Sequence, residues 1–331
     1  MKYIYLYVLL LVLSCSSPNN EILVKNFGST QGTFYHIKYF SPNGINYQQA
    51  IDSILLKIDN SLSIYNDSSI ISRVNEYHNV VLDTLFLEVF KTAKQVYDKT
   101  EGNFDCSIYP LIDAWGFYQN NLSDTKNIDS VFFKSILSSV GFDKIKLNSN
   151  KLILQKPMKL DFNSLAQGYT VDLISSFLAQ KSITNYLVEV GGEIRAGGKN
   201  YNKKWRIGID KPNDSIDYSK RFQIIIELEN KSLATSGNYR KFFLKDNTKY
   251  SHIISPITGF PANNRLLSVT VIHDECILAD AYATAFMVMG VKKTKEFVLS
   301  NKNLEVYLIY TSESGDWKTY ISPSLESKII N

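Results

Sequence analysis

Four short segments carry the residue types that chemistry needs. Near the C-terminus, Ala279-Asp280-Ala281-Tyr282-Ala283-Thr284-Ala285 sets a carboxylate and a hydroxyl four residues apart. On a helix those positions share one face. Both are hard oxygen donors suited to Mg²⁺, which takes one or two protein oxygens and fills its shell with substrate phosphates and water. The alternative is an acidic residue favoured early in a helix by the macrodipole, with Thr as core filler. The second segment is Leu160-Asp161-Phe162-Asn163-Ser164-Leu165-Ala166-Gln167-Gly168. It reads as a strand end, a polar turn and a helix start. Asn163 or Ser164 is expected to cap that helix, whose first N–H groups could face an anion. Asp161 sits where it could hold a ligand's polar edge, although a plain strand-to-helix connection accounts for the same residues.

The third segment, Tyr250-Ser251-His252-Ile253-Ile254-Ser255-Pro256-Ile257-Thr258-Gly259, puts one His before a Pro-initiated turn closed by Gly. His is the natural proton carrier near neutral pH. His36, His78 and His273 lack such a context and read as surface or strand residues. The fourth is the glycine pair in Val190-Gly191-Gly192-Glu193, followed by Gly197-Gly198. These pairs do not form a dinucleotide fingerprint. They mark tight turns, or a backbone cradle for a ligand.

The elements that position these segments follow from apolar spacing. Ile51, Ile54, Leu55, Ile58 and Leu62 give a helix over Gln48–Leu62, and Phe86 to Tyr97 and Leu165 to Ala179 give two more. Helices are expected at Ala279–Met289 and near Lys292–Leu299. Strands are expected at Thr33–Phe40, Tyr186–Val190, Trp205–Ile209, Phe222–Leu228, Tyr239–Leu244, Leu266–Ile272 and Leu304–Tyr310. This order does not alternate regularly, so the fold class is α+β, with mixed sheets and flanking helices in a single compact, two-lobed unit and a ligand cleft between the lobes.

The chain has 331 residues, a formal net charge of +4 and no long basic run, which argues against a nucleic-acid partner. Ile4 to Leu13 is apolar but far shorter than the roughly 20 residues a membrane span needs. After Lys2 it has the form of a signal-peptide core. Val12-Leu13-Ser14-Cys15, then Ser16-Ser17-Pro18-Asn19-Asn20, resembles a bacterial lipoprotein cleavage site. Residues 1–14 are therefore expected to be a signal peptide, residues 15–20 a lipidated Cys15 and its tether, and residues 21–331 one domain. The expected location is the bacterial cell envelope, anchored on the periplasmic side, with the choice of membrane open. Cys106 and Cys276 read as buried free thiols, with a disulfide as the alternative.

Taken in order, these segments resemble the FAD:protein FMN transferase (ApbE) family. The resemblance begins at Gln31-Gly32-Thr33-Phe34-Tyr35. It continues through Ile58-Asp59-Asn60-Ser61-Leu62-Ser63-Ile64-Tyr65, Ile71-Ser72-Arg73-Val74-Asn75 and Gly102-Asn103-Phe104-Asp105. Pro110-Leu111-Ile112-Asp113-Ala114-Trp115-Gly116-Phe117 follows, then the Asp161 segment, Val188–Glu193 and Ala234-Thr235-Ser236-Gly237. The His252 turn and the Asp280–Thr284 helix close the set. The resemblance implies an enzyme that binds FAD with Mg²⁺ on the pyrophosphate. It would move FMN to a Thr or Ser hydroxyl of an exported acceptor flavoprotein and release AMP. It implies a metal site of Asp280, Thr284 and a backbone carbonyl, with Ser164 chosen and Ala166 next. It implies catalysis by His252 and Asp280. It implies FAD contacts from Gln31, Tyr65, Ala114, Trp115, Gly116, Asp161, Gln167 and Ile254, with Tyr65 and Trp115 stacking on planar rings. Gln31 stands where the family usually has Met, and Gln167 where it commonly has Lys or an acidic residue. Two other functions compete, an FAD pyrophosphatase giving FMN and AMP, and a flavin-binding lipoprotein without turnover.

Overall fold

The computed structural model describes residues 21–118, 130–212, 221–238, 242–245 and 248–330. In chain order these form β1 (Glu21–Thr30), β2 (Thr33–Pro42), α1 (Gln48–Leu62), α2 (Ile70–Asn75), α3 (Thr84–Lys99), α4 (Tyr109–Ala114) and α5 (Ser130–Leu137). Next come β3 (Lys146–Asn148), β4 (Lys151–Ile153), α6 (Ala166–Gln180), β5 (Tyr186–Val190), β6 (Glu193–Gly197), β7 (Trp205–Asp210), β8 (Phe222–Leu228) and β9 (Lys231–Gly237). The chain ends with β10 (Phe242–Lys245), β11 (Thr248–Ser251), β12 (Leu266–His273), α7 (Cys276–Ser300), β13 (Glu305–Thr311), β14 (Trp317–Ile321), α8 (Pro323–Glu326) and β15 (Ile329–Ile330). The expected strand at Tyr239–Leu244 overlaps β10, and residues 239–241 lie outside the described residues. So do Cys15, the signal segment and the tether.

One eight-stranded sheet, in the order β1-β2-β5-β6-β9-β12-β13-β14, organises the molecule, and its neighbouring strands pair antiparallel. Period-two alternation sends its side chains to two different cores. Val269, Val271, Val306 and Leu308 face the helices, where they meet Ala279, Ala283 and Phe286 of α7 and Phe86 and Phe90 of α3. Ile194, Leu233, Ile272 and Ile309 face the other way, toward Trp205, Ile207 and Ile226 of the small sheet β15-β8-β7. The result is an α+β fold with helices on one face of the large sheet and a second sheet on part of the other. Cys106 and Cys276 are buried free thiols in different clusters. Among the described residues no helix is long and apolar enough to cross a membrane.

Two departures from the expected elements matter for the site. The C-terminal helical region is broken at Gly290, whose φ of 77° and ψ of 174° are not helical, as two separate helices require, but it starts at Cys276, before the expected Ala279. The expected cap of α6 is absent: neither Asn163 nor Ser164 caps it, and its N-cap residue, Leu165, offers no side-chain bond. Asp280 of α7 reaches across instead and accepts the Gly168 N–H at 3.1 Å. In return Asp172 of α6 accepts the Cys276 and Ile277 N–H groups at 3.0 and 2.9 Å, so it caps α7. Arg195 Nη1 supports Asp172 at 3.2 Å.

Gly168 lets the two helices approach this closely. A Cβ there would lie 2.5 Å from the Cys276 carbonyl oxygen and 2.9 Å from Asp280 Cβ. Gly168→Ala is expected to lower stability by about 1–3 kcal/mol, the usual cost of overpacking. Asp172→Ala, which strands two helix N–H groups and an arginine, is expected to lose about 3 kcal/mol, and Asp172→Asn less. Urea denaturation followed by circular dichroism measures all three. An unchanged midpoint in Asp172→Ala would show that other contacts hold the start of α7.

Candidate active site

A cleft of about 780 Å³ opens where the α6 and α7 seam meets the β1–β2 turn, the β5–β6 turn, the residues after α4 and one end of β7. That volume lies within the range of small-molecule and cofactor sites. Gln31, Tyr65, Asp161, Ser164, Gln167, His252, Ile254, Asp280 and Thr284 all line it, so segments spread over most of the chain converge on one space.

Local structure explains each placement. Gln31 and Gly32 have φ of 49° and 70° and form the two-residue turn between β1 and β2, a geometry that requires positive φ at both positions. The Gln31 amide donates to Thr170 Oγ1 at 2.6 Å, while its Oε1 is buried without a hydrogen-bond partner. Gly191 and Gly192, with φ of 65° and 109°, turn β5 into β6 in the same way. A Cβ on Gly191 would strike the Gln167 amide at 2.8 Å, so the glycine leaves room for that side chain. The strand expected to end at Asp161 does not form; the backbone before it makes only an isolated bridge at Lys159 and is clamped by Asn75, whose side-chain amide donates to the Leu160 carbonyl and accepts the Leu160 N–H. Asp161 is buried. It accepts the Tyr118 hydroxyl at 2.5 Å and the Asn163 N–H at 2.7 Å. Burial pushes its carboxyl above the usual range, partly offset by those donors.

The ring-stacking role expected of Trp115, between Ala114 and Gly116, needs correction. None of the three residues lines the cleft, which is walled at this point by Ile112, Phe117 and Tyr118. Trp115 has no exposed surface. It stacks on Phe133 with centroids 4.5 Å apart and donates its indole N–H to the Gly259 carbonyl at 2.9 Å. It cannot stack on a ligand. It ties α4 to the turn that follows His252 and Ile254, and so acts on the site through the backbone. Tyr65, by contrast, is 71% exposed at the cleft mouth, edge-on to Tyr118. His252 lies with its ring 6.4 Å from that of Phe117.

Asp280 and Thr284 sit one turn apart on α7 and both face the cleft. Burial pushes the Asp280 carboxyl up to about 7 against the pull of the Gly168 N–H. Glu193, the first residue of β6, lies beside it. Burial first, and then the charge of Asp280, pushes the Glu193 carboxyl well above the usual range. Glu193 and Tyr118 carry no assignment from sequence reasoning. The first is masked by a glycine pair that reads as a turn, and the second lies one residue past a recognisable motif.

The donor set at this end of the cleft is all oxygen: Asp280, Thr284, Glu193 and nearby backbone carbonyls. Ser164 lines the cleft, whereas the Ala166 carbonyl accepts the Thr170 hydroxyl at 2.7 Å. No group of three or more His, Cys, Asp and Glu residues is gathered around a metal position among the described residues. Magnesium needs no such cage, because phosphates and water supply most of its shell. Among the described residues, six that line the cleft are acidic (Asp105, Asp161, Glu189, Glu193, Asp210 and Asp280), and the one permanent cation, Arg221, is paired with Asp210 at 2.7 Å.

Comparison with known proteins agrees with this geometry. The ApbE family model matches residues 31–308. An FAD:protein FMN transferase of Vibrio cholerae serotype O1 is 36% identical over 327 residues, covering 96% of each chain. One from Escherichia coli K12 is 30% identical over 318 residues, 92% of this chain and 88% of the relative. Among solved structures, the flavin transferase ApbE of Vibrio cholerae superposes with a TM-score of 0.81 at 34% identity, over 93% of this chain and 99% of the other. The apo flavinyl transferase ApbE of Pseudomonas stutzeri gives 0.82 at 28% identity, over 93% and 97%. The chain belongs to the ApbE family.

Proposed function

We propose that this chain, an FAD:protein FMN transferase by family and relatives, uses Mg²⁺ held at Asp280 and Thr284 to move FMN from FAD to a Thr or Ser hydroxyl of an acceptor flavoprotein, releasing AMP. The observation that carries the reading is the Asp280 carboxylate, fixed by one backbone N–H at the floor of an acidic cleft and one helical turn from a hydroxyl. Bound Mg²⁺ would polarise the pyrophosphate and stabilise the departing AMP.

The chain's own part is positioning, which phosphoryl transfer needs more than covalent help. In the proposed step the acceptor hydroxyl oxygen bonds to the FMN phosphorus. The phosphorus–oxygen bond to AMP breaks, and the hydroxyl proton passes to His252. Asp161, Gln31, Gln167 and Ile254 hold the ends of the dinucleotide, and the exposed Tyr65 ring offers a stacking face at the mouth. A carbonyl of the Ser164 turn completes the protein's share of the cation site. The N-terminal segment supports an envelope location on the periplasmic side. There a lipidated Cys15 would keep the enzyme beside exported, membrane-bound acceptors.

Incubating the protein with FAD, Mg²⁺ and a candidate acceptor should give an FMN-sized mass adduct. Free FMN and AMP without an adduct would turn the reading into a pyrophosphatase. Asp280→Ala is expected to abolish turnover, and retained activity would remove Asp280 from the site. His252→Ala is expected to slow transfer by about 100-fold, the low end of general-base effects, with little change in FAD binding. Equal loss of binding and transfer would make His252 a binding residue.

A further inference from the structure

Glu193 is a buried ionisable group that the transfer step leaves unused. Its residue exposure is 6%, it lines the cleft, and its Oε2 is buried without any hydrogen-bond partner. The charged groups that act on it are Asp280 from α7 and Glu189 from β5, both negative. Arg195, two residues along β6, is turned to Asp172 and the Asp274 carbonyl instead. A buried carboxylate without a donor is costly, and two such groups side by side are worse. Among the described residues, the fold around Glu193 supplies neither a proton donor for Oε2 nor a compensating cation, which leaves the cleft as the route for a partner.

We propose that Glu193 is the second carboxylate of the cation site, so that a divalent cation entering with the dinucleotide is held by Glu193 as well as by Asp280 and Thr284. The inference rests on the reading of Asp280 and Thr284 as cation ligands given above. A divalent cation satisfies both carboxylates at once, whereas a ligand hydroxyl would answer one oxygen and leave the paired negative charges. An arriving pyrophosphate adds further negative charge and strengthens the demand. Oxygen-only donors, two carboxylates and a hydroxyl, suit a hard cation such as Mg²⁺ or Mn²⁺.

Mn²⁺ binding to the full-length protein in detergent, read from the loss of the free-ion electron paramagnetic resonance signal, tests this without turnover. Glu193→Gln keeps the shape and removes the charge. It is expected to weaken Mn²⁺ binding by about tenfold or more, roughly 1.4 kcal/mol, while the metal-free melting temperature stays level or rises. Glu193→Asp, with the carboxylate kept and shortened, is expected to fall between and serves if the Gln variant folds poorly. Unchanged Mn²⁺ affinity in Glu193→Gln, with weakened affinity in Asp280→Asn, overturns the proposal and leaves the Asp280 site standing. So does a loss confined to FAD binding in EDTA, which would make Glu193 a direct ligand contact. Unchanged affinity in both variants overturns the cation site itself.

Discussion

Helices α6 and α7 both start without a local side-chain cap, and each is capped by an aspartate from the other. The first N–H groups of a helix must find acceptors, and a buried helix start cannot rely on water. Here the acceptors are Asp280 for α6 and Asp172 for α7. The exchange fixes the rotation and the axial offset of both helices. Gly168 permits it, because any side chain there would press on the Cys276 carbonyl. The cleft floor is built on this seam, so the candidate cation ligand is also a structural cap. Its carboxylate is aimed before any ligand arrives, which removes reorganisation from the binding step.

That arrangement carries an electrostatic cost. One backbone N–H is the sole hydrogen-bond donor to the Asp280 carboxylate among the described residues, and Glu193 adds a second buried acid beside it. Replacing Glu193 by an apolar residue would relieve that charge in the metal-free fold, whereas replacing Asp280 would also strand the Gly168 N–H. A cation in the cleft, as proposed, would offset the cost of keeping both. The orphaned Gln31 Oε1 at the opposite turn points the same way, since it too awaits a partner from a ligand.

Much of the fold was legible because apolar spacing reports burial directly. The helix over Gln48–Leu62 and the strands at Tyr186–Val190 and Phe222–Leu228 have the expected bounds. The readings that failed depended on contacts between distant residues. Asn163 and Ser164 are good capping residues by type, but the acceptor for α6 comes from Asp280, 112 positions away. Trp115 reads as a stacking ring because aromatic rings stack and because it adjoins a motif. Its role is set by Phe133 and Gly259, which no local pattern reveals. Several motif residues prove to be scaffold. Asn75 clamps Leu160, and Asp105 holds the Ser107 and Phe142 N–H groups. An ordered set of motifs therefore identifies the family and gathers most of the expected residues at one cleft, while a role such as that of Trp115 depends on contacts no motif contains.

The charge pattern of the cleft sets how this site must handle phosphate. Many phosphate sites place Lys, Arg or a helix N-terminus against the anion. Here, among the described residues, the α6 N-terminus at the floor is spent on Asp280, the permanent cation on the wall is paired with Asp210, and the remaining charged side chains are acidic apart from the histidines. On the proposed reading, neutralisation would move from the protein to ions taken from solution, and affinity for a dinucleotide would depend on the local concentration of divalent cations. The ion would enter with the ligand it neutralises, and the acidic cleft would reject bare anions while admitting the metal complex.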